Sequence, residues 1–304
     1  MTSEAFCAAI DWGSTNLRIR LLDRQGTVIN TFTSSEGLIN LPDRDFNGTL
    51  EGRLAELGAD AELPVVICGM AGSRQGWLEV PYLQIPAGLG EIPKASLKVE
   101  EASRPVHILP GLSQIAPSAD VMRGEETQLL GLTLEREIDG VVCMPGTHSK
   151  WVLMKAGGIE RFSTFMTGEV YALLVKHSLL RFSVDEATDG LWERPAFSEA
   201  VQEVMEHPER FGAALFGIRA DGLLKDVGQA DATARLSGLC VGMELAGAGD
   251  YLKESGTVEV VASGVHAELY RKAFELLGFP HNITDASEAS RKGLYSAARQ
   301  IYGR

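Results

Sequence analysis

The chain has 304 residues, 45% of them hydrophobic, enough to bury a large core and, at this length, generally to make two domains. A formal net charge of −13 excludes a broad nucleic-acid or anionic-membrane surface, because such partners need clustered Lys and Arg to displace counterions. No apolar run approaches the roughly 18 residues of a membrane helix, and Cys7, Cys68, Cys143 and Cys240 show no C-x-x-C or Cys/His ligand spacing, which predicts reduced core thiols in an untargeted cytoplasmic protein.

Ala8, Ala9 and Ile10 predict a strand running into Asp11-Trp12-Gly13-Ser14-Thr15-Asn16. Gly13 permits a bend that brings amides close to an anion, Ser14, Thr15 and Asn16 add side-chain donors, and Asp11 is placed to hold a metal ion or its waters. The plain alternative is a hairpin with a polar turn. Leu17, Ile19 and Leu21 alternate with Arg18 and Arg20, a second strand with two arginines on one face, and Val28 to Phe32 reads as a third antiparallel strand after the turn at 23–26. The opening is therefore a meander carrying a phosphate loop, where a dinucleotide fold would put a helix after the glycines. A short helix is expected from Leu50 to Leu57 and a buried strand from Leu63 to Cys68, ending in Gly69-Met70-Ala71-Gly72-Ser73-Arg74-Gln75-Gly76-Trp77. Glycines at the C-terminal end of such a strand open a crevice in α/β proteins, which Ser73, Arg74, Gln75 and Trp77 would line. Arg74 suits a carboxylate, Ser73 and Gln75 suit hydroxyls, and Trp77 suits a wall.

Residues 86–105 read as surface loop and edge structure, and Val106 to Gly111 as another strand. Val121 to Gly131 predicts a helix with Glu125 and Glu126 in its first turn, where the helix dipole alone would favour acids. Met122, Leu129, Leu130 and Leu132 form its buried stripe, and both glutamates flank that stripe, which makes them candidate general bases. Val141 to Leu153 then repeats the opening, with strand, Gly146-Thr147-His148-Ser149, and strand again. That echo predicts duplicated domains whose loops grip one nucleotide, with Lys150 neutralising phosphate charge.

The segments Ile10 to Arg18, Gly69 to Ser73, Met122-Arg123-Gly124-Glu125-Glu126-Thr127-Gln128-Leu129-Leu130-Gly131, Met144 to His148 and Lys150-Trp151-Val152 together resemble the 2-dehydro-3-deoxygalactonokinases of the actin-like sugar kinase superfamily. The resemblance spans nearly the whole chain. It implies an α/β fold of two actin-like (ribonuclease H-like) domains with a nucleotide cleft between them. The first domain would span residues 1–115, with the helix 287–302 crossing back to it, and the nucleotide-binding domain 116–286. It also implies transfer of the ATP γ-phosphate, with Mg2+, to the 6-hydroxyl of 2-dehydro-3-deoxy-D-galactonate. Arg123 would join the substrate residues. Related kinases place an Asp after a Gly where this chain has Gly124-Glu125-Glu126. The base thus stays open between the two, with Glu125 favoured because it directly follows the glycine. The adenosine loop, usually a Gly-Gly pair opening a helix, would be Ala262-Ser263-Gly264-Val265-His266, with one glycine kept.

Thr167 is expected to cap an apolar helix from Val170 to Leu180, and Ala232 to Leu252 to form one long helix whose glycines serve close packing. Two other readings compete with a kinase acting on this or another sugar acid: a chaperone-like member of the superfamily and a non-catalytic sensor. A chaperone needs a client domain for which 304 residues leave no room, and a sensor needs a basic recognition segment that is absent. The expected partners are a sugar acid and ATP, with no nucleic acid or membrane, and a homodimer is compatible with the sequence.

Overall fold

Cys7–Trp12 (β1) and Leu17–Leu22 (β2) close an antiparallel hairpin with Asp11 opposite Arg18 and Ala9 opposite Arg20. Val28–Ser34 (β3) pairs antiparallel with β2, completing the expected meander. Val65–Gly69 (β4) runs parallel to β1, Val106–Ile108 runs parallel to β4, and Leu97–Lys98 finishes that edge. The computed structural model describes residues 4–134, 136–186 and 189–303. By its internal contacts the chain divides into a first unit, Met1–Ile138, Lys155–Arg161 and Ala286–Arg304, and a second, Asp139–Met154 and Phe162–Asp285.

In the first unit Ile10, Trp12, Leu17, Ile19, Val65 and Ile67 face a common core with Phe46, Leu50 and Leu54 of helix Phe46–Glu56 (α1). These three recur every four residues, the spacing that puts them on one helical face. The helix starts a turn before the expected Leu50 because the Asp45 side chain accepts from the Gly48 amide at 2.8 Å and caps it. Helix Glu125–Leu132 (α2) is shorter than its sequence pattern: Gly124, at φ +110°, ends the strand Asp120–Met122 and starts the helix only at Glu125. The C-terminal helix, Ala286–Tyr302, crosses α2 where neither helix has a side chain. A Cβ on Gly131 would collide with the Ala289 carbonyl, and one on Gly293 with the Thr127 carbonyl.

The second unit repeats the plan. Gly140–Met144 pairs antiparallel with Ser149–Lys155 and parallel with Val258–Val261, which pairs parallel with His281–Thr284. Gly158–Phe165, whose residues from Phe162 onward belong to this unit, flanks Ser149–Lys155. A meander followed by two parallel strands thus occurs twice in the chain. The helices are Thr167–His177 (α3), Pro195–Glu206 (α4), Phe211–Leu224 (α5), Gln229–Gly247 (α6), Gly249–Glu254 (α7) and Gly264–Leu277 (α8). The single helix expected over 232–252 is broken between α6 and α7. Gly238 and Gly242 serve close packing as expected, with a Cβ on either meeting Phe197 or Val201 of α4. Thr167 does not cap α3: it is the first helical residue, after Met166, and no side chain caps that end.

All four cysteines are free and buried. No helix among the described residues is long and apolar enough to cross a membrane.

Gly293→Ala is expected to lower the urea midpoint, since the added methyl must force two backbones apart, an overpacking that costs about 1–3 kcal/mol. Gly52→Ala, on a face of α1 with open space, is expected to raise it slightly through helix propensity.

Candidate functional site

In the first unit the turn after β1 is fixed from one side. The carbonyls of Gly13, Ser14 and Thr15 accept from the amides of Leu38, Ile39 and Gly37 at 3.0, 2.9 and 3.3 Å. A trans peptide points its N–H opposite its C=O, so the amides of Ser14, Thr15 and Asn16 face away from that segment. All three residues are exposed. The result is a concave row of amides of the kind that receives phosphate oxygens. Gly37 belongs to the same device, because a Cβ there would run into the Thr15 backbone.

Asp11 lies at the end of β1 beside this turn, half-buried. Loss of solvent raises its proton affinity, Arg18 and Arg20 pull it back, and Glu125 pushes it up again. Among the described residues no three His, Cys, Asp or Glu side chains gather as a metal cage. A Mg2+ site built from one or two carboxylates and completed by phosphate oxygens and water fits this donor set.

The two glutamates of α2 differ sharply. Glu126 is fully buried, at 0% exposure, not at the rim of the packed face, and its carboxylate accepts from the Gly124 amide at 2.6 Å and the Thr127 hydroxyl at 2.9 Å. Burial first, and Glu125 second, push its carboxyl up to about 7. Glu125 is only partly buried, accepts from the Arg123 amide at 3.0 Å, and is the glutamate whose charge reaches Asp11. The left-handed turn at Gly124 produces this split, with one carboxylate turned into the core and the other left toward solvent.

The glycine-rich segment after β4 is less uniform than its sequence. The Ser73 hydroxyl donates to the Met70 carbonyl at 2.8 Å, and Trp77, partly buried, packs against the core by stacking on Phe46 with ring centroids 6.0 Å apart. Arg74 and Gln75 are exposed, and the Gln75 carbonyl accepts from Arg44. Arg123 lies over the Tyr82 ring at 4.4 Å and donates to the Val80 carbonyl at 2.9 Å. Its Nε and Nη1 are buried with no acceptor among the described residues. Gly72 makes room for this guanidinium, since a Cβ there would lie 2.7 Å from Nη1.

In the second unit the turn Gly146–His148 is braced by the start of α3. A Cβ on Gly168 would press on the Gly146 carbonyl, the Glu169 amide donates to the Thr147 carbonyl at 3.0 Å, and the Glu169 carboxylate pairs with His148 Nε2 at 2.5 Å. Lys150 is buried, and its ammonium donates to the His148 carbonyl at 3.0 Å. Beside this turn is a cavity of about 290 Å³ lined by Gly146 and Thr147, by Thr167 and Tyr171 of α3, by Ser237 and Cys240 of α6, and by Val265, His266 and Tyr270 of α8. Of the predicted adenosine residues, His266 lines it. Ala262 is buried at the strand end, the Ser263 hydroxyl donates to Asp285 at 2.6 Å, and Gly264 opens α8 at φ +57°. Sequence reasoning missed Thr167, Ser237 and Tyr270. Thr167-Gly168, a hydroxyl and a glycine after a strand, carried a signal; Ser237 and Tyr270 sit inside ordinary helical patterns.

Two α/β units of one strand plan, each with a glycine turn between its first two strands, define the actin-like class. The activator of 2-hydroxyisocaproyl-CoA dehydratase from Clostridium difficile with bound ADPNP shares this fold, with a TM-score of 0.54 at 13% identity over 98% of this chain and 96% of that one. The likeness is one of fold alone. Residues 11–297 match the family model for 2-keto-3-deoxy-galactonokinase, and the chain belongs to that family. A protein from Rhizobium meliloti (strain 1021), named probable 2-dehydro-3-deoxygalactonokinase, is 43% identical over 99% of both chains. The 2-dehydro-3-deoxygalactonokinase of Escherichia coli (strain K12) is 33% identical over 96% of this chain and 97% of its own. A crystal structure of a Sinorhizobium meliloti protein of like name agrees with a TM-score of 0.92 at 42% identity, covering 98% of each chain.

The raised Glu126 carboxyl makes stability depend on pH in a definite sense. The folded protein holds a proton that the unfolded chain has released, so this contribution is full below the ordinary 4.5 and is lost as pH rises through about 7. Glu126→Gln keeps an acceptor for the Gly124 amide but carries no charge. Urea unfolding should therefore show the variant gaining on wild type between pH 5 and pH 7.5.

Proposed function

We propose that the chain transfers the γ-phosphoryl group of ATP to the 6-hydroxyl of 2-dehydro-3-deoxy-D-galactonate, giving 2-dehydro-3-deoxy-6-phosphogalactonate and ADP in galactonate catabolism. One arrangement carries this reading beyond family membership: in the first unit the amide-lined turn at Gly13–Asn16 adjoins Asp11, and Asp11 feels the half-buried carboxylate of Glu125. Glu125 takes the proton of the attacking hydroxyl, the oxygen bonds to the γ-phosphorus, and the bond to the β-phosphate oxygen breaks to release ADP. Mg2+, held by Asp11 and the phosphates, would neutralise charge on the transferring group.

The phosphate-binding residues of this reading are Ser14, Thr15 and Asn16 on the first unit and Gly146, Thr147, His148 and Lys150 on the second. The cavity beside Gly146 takes the nucleoside, with His266 at its wall. Ser73, Arg74, Gln75 and Arg123 belong to the acid's side, and the two unpaired donors of Arg123 favour it as a contact for an anionic group. Glu126, tied to Gly124 and Thr127, holds the turn that presents Glu125. The four buried free thiols suit a cytoplasmic enzyme.

A coupled ADP-release assay over 2-keto-3-deoxy sugar acids tests the substrate. Turnover is expected with the galactonate epimer and ATP together, weaker turnover with the gluconate epimer, and little ATP hydrolysis without acceptor. Rapid hydrolysis with no acid present would contradict the reading.

Glu125→Gln is expected to lower kcat by roughly 10² or more with both KM values little changed. Glu126→Gln should cost less. Steady-state kinetics showing the reverse order would move the base to Glu126.

A further inference from the structure

One carboxylate of the second unit gathers donors from three separate elements. Glu244, on α6, is 2% exposed and accepts from Trp151 Nε1 at 2.9 Å and from the Tyr270 hydroxyl at 2.6 Å. The hydroxyls of Thr167 and Ser149 also bond to it, and Ser149 Oγ lies 3.4 Å from the Tyr270 hydroxyl. Ser149 and Trp151 stand on the strand that leaves the Gly146 turn, Thr167 is the first residue of α3, and Tyr270 is on α8. Thr167 and Tyr270 line the cavity, and Glu244 stands behind them without lining it.

Packing alone does not account for this. The neighbouring core positions of α6, Val241 and Leu245, are apolar, whereas a buried carboxyl is tolerated only when donors converge on it or it keeps its proton, and burial holds Glu244 above the ordinary carboxylate range even with its donors. An indole N–H can only donate, so Trp151 requires an acceptor here. The donors also fix rotamers in a useful place: each of the four belongs to the phosphate turn's strand or to a cavity-lining helix.

We propose that Glu244 is the positioning residue of the nucleotide cavity, the single acceptor that sets Thr167, Tyr270 and the strand after Gly146 in the arrangement that receives the nucleoside and its phosphates. This rests on the reading that the cavity takes ATP. It assigns Glu244 no contact with ATP. Its effect passes through residues that line the cavity, so it governs ATP affinity and leaves the sugar acid untouched. Glu244→Gln keeps the volume and an oxygen for Trp151, but its NH2 reverses the bond to the Tyr270 hydroxyl, which must then accept where it donated and re-aim its own hydrogen.

Calorimetric titration of the full-length protein with ATP and, separately, with 2-dehydro-3-deoxygalactonate decides the matter. Glu244→Gln should weaken ATP binding about tenfold or more while the acid binds within about twofold of wild type. If the variant binds ATP as wild type does, or loses both ligands in equal measure, the proposal is overturned. Should Glu244→Gln fail to fold, Trp151→Phe removes one donor from Glu244 outside the cavity wall. A rise of about threefold in the ATP dissociation constant supports the role, and an unchanged constant refutes it. Ser237→Trp separates the underlying reading, because it fills the cavity directly. ATP binding at wild-type level in that variant would remove the cavity reading and the proposal with it. Loss of ATP in Ser237→Trp with no effect in Glu244→Gln would remove the proposal alone.

Discussion

A carboxylate taken out of water must be met by donors or else hold its proton, and each unit of this chain is built around one such group. In the first it is Glu126, met by the Gly124 amide and the Thr127 hydroxyl. In the second it is Glu244, met by an indole and three hydroxyls. Neither is the favoured base, which is Glu125. Glu126 fixes the turn at Gly124, so that the acid just before it, Glu125, is left half in solvent where its charge reaches Asp11. Glu244 ties α3, α6 and α8 to the strand that follows the second glycine turn.

The glycine turns themselves follow from peptide geometry. Once the carbonyls of Gly13, Ser14 and Thr15 are bound by residues 37–39, their partner amides have only one direction left. The turn is therefore prearranged before any anion arrives, and an anion that binds there need not first order the backbone. In the second unit the same end is reached differently, with the start of α3 pressed against Gly146 and Thr147 through Gly168.

Most of the strands and both glycine turns were legible because period-2 alternation and small residues leave local marks. So was the family, since its motifs are contiguous runs. The errors share a cause. Val121 to Gly131 has a helical apolar pattern throughout, yet Gly124 at φ +110° divides it, and only the backbone shows that. Periodicity placed Glu125 and Glu126 alike at the edge of a buried face; a hydrogen bond to an amide two residues back made one of them core. Thr167 had the composition of a cap, but its hydroxyl is bonded to Glu244, 77 positions further along the chain, a partner that no local window contains.

The division of the chain has a bearing on the order in which it is made. The first unit comprises Met1–Ile138, Lys155–Arg161 and Ala286–Arg304, so its closing helix leaves the ribosome after all of the second unit. Until then α2 lacks the surface on which Gly131 and Gly293 let two helices cross. The second unit, nearly continuous from Asp139 to Asp285, has no such wait. During synthesis the half encoded later is thus positioned to mature earlier, and the half that begins the chain is the last to close.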